Sequence, residues 1–233
     1  MDKIATHIAQ TLQRIRDAKF TGRFPDSVVT LLAVSKRQSA TAIQAAYDSG
    51  IRDFGESRVQ EALEKLEDLE SLNITWHFIG QIQSNKTREI ARNFQWVHAV
   101  DRLRIATRLN DQRPHNYPPL NVCIQVNQAG EGQKAGVNEA DVSTLARNVM
   151  SLPRLRLRGL MTLPPANTDP KTNAVLFARL RNLKDTLVAD RIPLDTLSIG
   201  MSADFEIAVR EGSTIVRVGT AIFGKRDTPI KTQ

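Results

Sequence analysis

Residues 30–55 read TLLAVSKRQSATAIQAAYDSGIRDFG. A short apolar, β-branched run at 30–35 ends on Lys36, and a helical pattern follows it. Gly50 closes that pattern where a left-handed residue is wanted, and a second short run begins at 52–54. The same alternation recurs along the chain, with further strand-like runs at 75–79, 96–100, 121–126, 157–161, 196–199 and 214–218. Strands alternating with helical patterns of this length read as βα units around a parallel sheet. Eight such units predict one (β/α)8 barrel spanning 1–233, and 233 residues suit that architecture. An open doubly wound sheet is the alternative.

Helix punctuation supports this reading. Ser57 with Gln60 suggests a capping box before Val59, Leu63, Leu66 and Leu69 at helical spacing. Asp169 followed by Pro170 reads as a cap and first-turn proline leading into Leu176, Leu180, Leu183 and Leu187. Gly212 closes another helix. An extra helix at the start presents Ile4, Ile8, Leu12 and Ile15, to be buried against the barrel or another subunit.

Composition narrows the function classes. The 41% hydrophobic fraction fills a sizeable core, and only 5% aromatic residues make it an aliphatic one. The net charge of +7 is spread along the chain with acidic residues interspersed, so nucleic acid is not expected. The densest basic stretch, 154–158, alternates Arg with Leu and reads as a solvated face. Residues 1–7 carry no secretory pattern, no stretch is apolar enough to span a membrane, and the single Cys123 excludes an internal disulfide. A buried, inert thiol and a cytoplasmic location are the expectation.

A barrel places its chemistry at the C-terminal ends of strands, with phosphate sites often after strands 7 and 8. Strand 1 ends on Lys36, where partial desolvation would favour the neutral amine that attacks a carbonyl. A lysine that merely snorkels from the barrel mouth is the bland alternative. Strand 7 runs into Gly200-Met201-Ser202, with Ser202 expected to cap a helix starting at Ala203. Strand 8 runs through Arg217 into Gly219 and Thr220. These two loops together resemble a phosphate cup. Arg217 should face the barrel interior beside strand 1, toward a ligand ring nitrogen or else toward a structural ion pair with Glu56. His77 alternates with Trp76 and Phe78 and should face inward, as a core residue or as part of the site. No Cys/His spacing suggests a metal.

Several colinear motifs extend these readings: Ala33-Val34-Ser35-Lys36, Phe54-Gly55-Glu56, Trp76-His77-Phe78-Ile79-Gly80, Gln83-Ser84-Asn85-Lys86, Ser198-Ile199-Gly200-Met201-Ser202 and Val216-Arg217-Val218-Gly219-Thr220. Over essentially its whole length the chain resembles the YggS/PROSC family, the pyridoxal phosphate homeostasis proteins, whose barrel is similar to the N-terminal domain of alanine racemase. The resemblance implies that Lys36 carries pyridoxal 5′-phosphate (PLP) as a Schiff base. It also implies that Ser202, Gly219 and Thr220 hold the phosphate and that Arg217 faces the pyridine nitrogen. An arginine there keeps the ring nitrogen unprotonated and weakens the cofactor as an electron sink. Gly200, Met201 and His77 complete the expected cofactor-binding set. The chain departs from the family at Ser57-Arg58, where Asn-Tyr is usual, and it keeps Asn127, Glu131, Lys134 and Gly136. Lys134 is a candidate second lysine for handling the cofactor.

The function expected from the resemblance is to hold, buffer and hand over PLP, serving vitamin B6 and amino-acid homeostasis without robust catalysis. Apo-enzymes that require PLP are the expected acceptors, and a monomer is expected. Alanine racemases add a β-domain with an opposing catalytic tyrosine, for which the residues after strand 8 leave no room. A barrel-only amino-acid racemase is the alternative, with His77 as the only candidate opposite Lys36. A Schiff-base aldolase acting on a phosphorylated sugar is a third.

Overall fold

The structure is a computed structural model that describes residues 3–128, 135–165 and 168–224. Eight parallel strands pair in chain order and close into a barrel. They are β1 (Thr30–Val34), β2 (Asp53–Glu56), β3 (Thr75–Phe78), β4 (Trp96–Val100), β5 (Leu120–Gln125), β6 (Leu155–Met161), β7 (Thr196–Met201) and β8 (Ile215–Val218). Closure is made by β8 against β1, with Leu32 opposite Arg217 and Ala33 opposite Val218. The open-sheet alternative is thereby excluded.

Around the strands lie α2 (Ala40–Asp48), α3 (Val59–Asp68), α4 (Thr87–Asn93), α5 (Leu103–Gln112), α6 (Val142–Met150), α7 (Pro170–Ala189), α8 (Phe205–Arg210) and the short α9 (Thr220–Phe223). The extra helix α1 (Lys3–Phe20) docks on the barrel's own α8 and α9 rather than awaiting another subunit. It buries Ile8 and Ile15, its His7 Nδ1 donates to the Ile222 carbonyl at 2.9 Å, and Arg14 pairs with Glu206 at 3.0 Å.

The largest fully buried side chains lie between strands and helices: Phe54, Phe78, Phe94, Phe177 and Phe205. Phe78 meets Phe94 edge-on at 5.3 Å between ring centres. Covered on both faces, the strands read as nearly continuous apolar runs, as parallel barrel strands do. Cys123 is fully buried, and burial pushes its thiol up to about 12.

Some local expectations change. Asp169 does cap α7, accepting from the backbone of Lys171 and Thr172, with Pro170 in the first turn. Gly50 and Gly212 do take positive φ, 96° and 94°. Ser57 does not cap α3: Arg58 occupies that position and no side chain makes a cap bond. Within the Arg-Leu stretch, Arg156 is exposed, but Arg158 is bound by Asp195 at 2.7 Å and lies 4.9 Å above the Trp96 ring. It thus helps to close the N-terminal end of the barrel.

Candidate functional site

A cavity of about 330 Å³ opens at the C-terminal ends of the strands. Lys36, Met201, Ser202, Arg217, Gly219 and Thr220 line it together with Val34 and Ile79. A neighbouring lobe of about 650 Å³ shares Lys36, Ile79 and Met201 and is lined further by Gln125, Asn127, Asn173 and Asp204. Six of the eight residues expected from sequence therefore converge on one cavity.

Lys36 is half-buried at the end of β1, and the residues on either side of it are pinned. The Ser35 hydroxyl donates to Glu56 Oε1 at 2.7 Å, and the Ser35 carbonyl accepts from Lys65 Nζ at 2.8 Å. Lys65 also holds Glu56 at 2.8 Å and Glu61 at 2.7 Å. On the other side of Lys36, the Arg37 backbone N–H donates to Glu61. Arg37 has φ 63°, a left-handed conformation that costs an L-residue roughly 1–2 kcal/mol. The ion-pair cluster holds this turn, which follows directly on the end of β1 at Val34. Burial pushes the Glu56 carboxyl up, against the opposing pull of Lys65 and Ser35. Burial also pushes on Glu61, but Lys65 and the Arg37 N–H outweigh it and hold that carboxyl below its ordinary value. None of this cluster was foreseen, although Glu61 and Lys65 stand at helical i,i+4 spacing.

On the strand 7 and 8 side, Ser202 does not cap a helix from Ala203. The helix begins at Phe205 with Asp204 at its cap position, and Asp204 Oδ1 instead accepts from the Met201 N–H at 2.6 Å. Ser202 Oγ reaches across to α9, accepting from the N–H groups of Gly219 and Ala221 at 3.3 and 3.4 Å. Hydroxyl and backbone donors are thus gathered at one spot, as anion sites require. A Cβ on Gly219 would sit 3.3 Å from the Val34 carbonyl, so only glycine leaves this wall uncrowded.

Gly200 serves the backbone rather than the cavity, which it does not line. Its φ is +91°, and an added Cβ would lie 2.6 Å from Ala208 Cβ and 2.9 Å from Phe205 Cα. This left-handed step lets β7 pass under α8 and break its alternation, so that both Met201 and Ser202 reach the cavity.

Arg217 is almost fully buried. Its Nη1 donates to Ser198 through both the carbonyl and the hydroxyl (2.8 Å to Oγ), and Nη2 donates to the Thr162 carbonyl at 3.0 Å. Glu56 is not its partner, because that side chain faces outward to Lys65 of α3. Burial lowers the Arg217 pKa to about 10, with Asp204 opposing. His77 faces the interior, as alternation requires, but is not among the cavity-lining residues. It stacks on Trp96 at 5.5 Å and bonds His98 and Asp53 at 2.9 and 3.0 Å. Ser198, His98 and Asp53 were missed, although alternation along Trp96-Val97-His98 would have turned His98 inward. Lys134 and Glu131 lie outside the described residues.

The family profile described as "Alanine racemase, N-terminal domain" matches residues 8–227. The pyridoxal phosphate homeostasis protein of Pseudomonas aeruginosa is 54% identical over 228 residues, covering 97% of each chain. The protein of the same name from Escherichia coli K12 is 49% identical over 239 residues, covering 97% of this chain and 98% of its own. Among solved structures, PipY of Synechococcus elongatus with PLP bound superposes at TM-score 0.84 and 37% identity, covering 95% of this chain and 100% of PipY. Alanine racemase from Corynebacterium glutamicum, at 17% identity and TM-score 0.68, shares the barrel over 63% of its length.

Proposed function

Because the chain belongs to the pyridoxal phosphate homeostasis (YggS/PROSC) family, built on the alanine racemase N-terminal type of barrel, we propose that it holds PLP in the Lys36 cavity as a Schiff base on Lys36. Its role in vitamin B6 and amino-acid homeostasis is to keep and pass on the cofactor rather than to turn over a substrate. One observation carries this reading: an amine, a buried guanidinium and a cluster of anion-binding donors line a single cavity of ligand size. The residues present fit the group. The crowding a Cβ would cause at Gly219 and the N–H groups gathered around Ser202 suit a phosphate, and Lys36 suits an aldehyde.

When bound, PLP supplies an aldehyde for amines and an electron-accepting ring. The chain's own residues do the rest. The Glu56–Lys65–Glu61 cluster fixes the turn that presents Lys36, and Ser202, Gly219 and Thr220 would anchor the phosphate. Arg217, which has no acidic hydrogen-bond partner among the described residues, would offer a donor to the ring nitrogen and so leave that nitrogen unprotonated. The racemase reading needs a proton carrier opposite Lys36, and its candidate His77 is enclosed in the barrel core between Asp53 and His98.

The proposal places the protein in the cytoplasm as a monomer, with PLP-requiring apo-enzymes as acceptors. A lone buried cysteine supports a reducing compartment. Among the described residues no helix is long and apolar enough to cross a membrane.

The test compares uptake of PLP with uptake of pyridoxal, which lacks the phosphate, by wild type and by the Ser202→Ala, Thr220→Val double variant. Wild type should prefer PLP strongly, and the double variant should lose most of that preference. Equal affinity for the two ligands in wild type would remove the phosphate cup from the account. Alanine racemisation at a rate typical of enzymes, about 1–10³ s⁻¹, would restore the racemase reading.

A further inference from the structure

The interior of the barrel carries a continuous polar chain from the cavity to the opposite mouth. Arg217 Nη1 donates to Ser198 Oγ at 2.8 Å, and Ser198 Oγ lies 2.7 Å from His98 Nδ1. His98 Nε2 is 2.9 Å from His77 Nδ1, and His77 Nε2 is 3.0 Å from Asp53 Oδ1. Asp53 opens β2 at the N-terminal mouth, where its side chain is 30% exposed, whereas Ser198, His77, His98 and Arg217 are buried.

The two ends allow only one direction. A guanidinium only donates and a carboxylate only accepts. Burial keeps both imidazoles neutral, so each carries one proton. Asp53 therefore requires the proton of His77 on Nε2, which leaves Nδ1 bare. His98 must then carry its proton on Nε2, and its bare Nδ1 takes the Ser198 hydroxyl proton. The lone pairs of Ser198 Oγ are left for Arg217. Every donor in the chain points from Arg217 toward Asp53, an arrangement in which successive bonds strengthen one another.

We propose that Asp53 is a positioning residue for Arg217, setting from the far side of the barrel the proton direction that leaves Ser198 Oγ an unshared acceptor for the guanidinium in the cofactor cavity. This rests on the reading of that cavity as the PLP site. With an amide at position 53 the end is no longer acceptor-only. Both imidazoles can then move their protons to Nδ1, and Ser198 Oγ must accept from His98 as well as from Arg217. Its own proton is then displaced from the chain, and the oxygen, accepting twice, is a weaker acceptor for each donor. Arg217 keeps Ser198 Oγ only as a shared, weaker acceptor, and its hold on the ring slackens.

The test uses the full chain labelled with ¹⁵N histidine at a pH where imidazole is neutral. Imidazole ¹⁵N signals separate bare from protonated ring nitrogens. Wild type and Asp53→Glu are expected to show both histidines protonated at Nε2, and Asp53→Asn to protonate Nδ1 of His98. Since one net hydrogen bond is worth at most about tenfold in affinity, weakening this one should lower PLP binding by several-fold and no more than about tenfold in Asp53→Asn, with restoration in Asp53→Glu. The visible band of the bound cofactor should shift, while the Lys36 adduct still forms at saturation. Ser198→Ala cuts the chain next to Arg217, and adding Asp53→Asn to it should cost nothing more. It supplies the affinity result even if an Asp53 variant folds poorly. Unchanged tautomers in Asp53→Asn, or additive losses in the double variant, would overturn the proposal. The tautomer measurement needs no cofactor. A wild type that takes up no PLP would overturn the cavity assignment instead, and the tautomers would then report on the chain alone.

Discussion

Acidification from about pH 7.5 to about pH 5.5 should weaken the fold through His98 by about 1.4 kcal/mol. In the unfolded chain an imidazole takes up its proton near pH 6.5. In the barrel, burial first, and then the neighbouring His77 and Arg217, hold His98 well below that value. Below about pH 6.5 the unfolded state therefore binds the extra proton, and stability falls as pH falls. For a group that stays neutral while folded, the ratio of unfolded-state binding at the two pH values is about ten, which gives the 1.4 kcal/mol. His77, held down mainly by burial and partly restored by Asp53, adds a loss of the same sign and no larger size. The buried carboxyls of Glu56, Asp101 and Asp204 are pushed up by burial and act in the opposite sense, gaining protons in the folded state as pH falls. The assay is accordingly a difference: urea unfolding of wild type and His98→Gln at both pH values. Wild type should lose about 1.4 kcal/mol more than the variant over this interval. Equal losses, within about 0.5 kcal/mol, would refute the claim that His98 is enclosed and neutral, since an exposed histidine carries no such linkage.

Lys65→Met should destabilise by roughly 3–5 kcal/mol in chemical unfolding, because it leaves the buried Glu56 carboxylate without its cation. A loss under about 1 kcal/mol would place the cluster among ordinary surface pairs. Gly200→Ala should cost at least about 1–3 kcal/mol, combining a positive φ with a collision against α8, and should lower Tm while displacing Ser202 enough to weaken PLP uptake. Phe78→Ala should cost about 3–5 kcal/mol by emptying the contact with Phe94, with the cofactor band of the surviving folded fraction unchanged.

The fold was legible because each βα unit carries its own punctuation. The apolar run ending at Lys36, Gly50 after α2 and Asp169-Pro170 before α7 are local signals, and the structure places them as expected. The site residues at strand ends were legible for the same reason: a barrel fixes where a strand end points. Errors arose where the backbone departs from its period. Alternation fails at Gly200, whose positive φ turns β7, and the helix expected from Ala203 starts two residues later because Asp204 ties back to Met201. Glu56 was weighed as a partner for Arg217, yet it shares a face with Phe54 and points to α3, while Arg217 points inward. The pairings of Lys65 with Ser35 and of His98 with Ser198 join residues 30 and 100 positions apart, and local periodicity does not encode them.

Lys36 is the proposed covalent anchor of PLP. Reconstituted protein, reduced with borohydride and mapped by peptide mass, tests this most directly. A single reduced pyridoxyl adduct on Lys36, with loss of the visible band and of the adduct in Lys36→Ala, is the predicted result. A protein that gains no band with added PLP, or an adduct that persists on another lysine in Lys36→Ala at full yield, would contradict it.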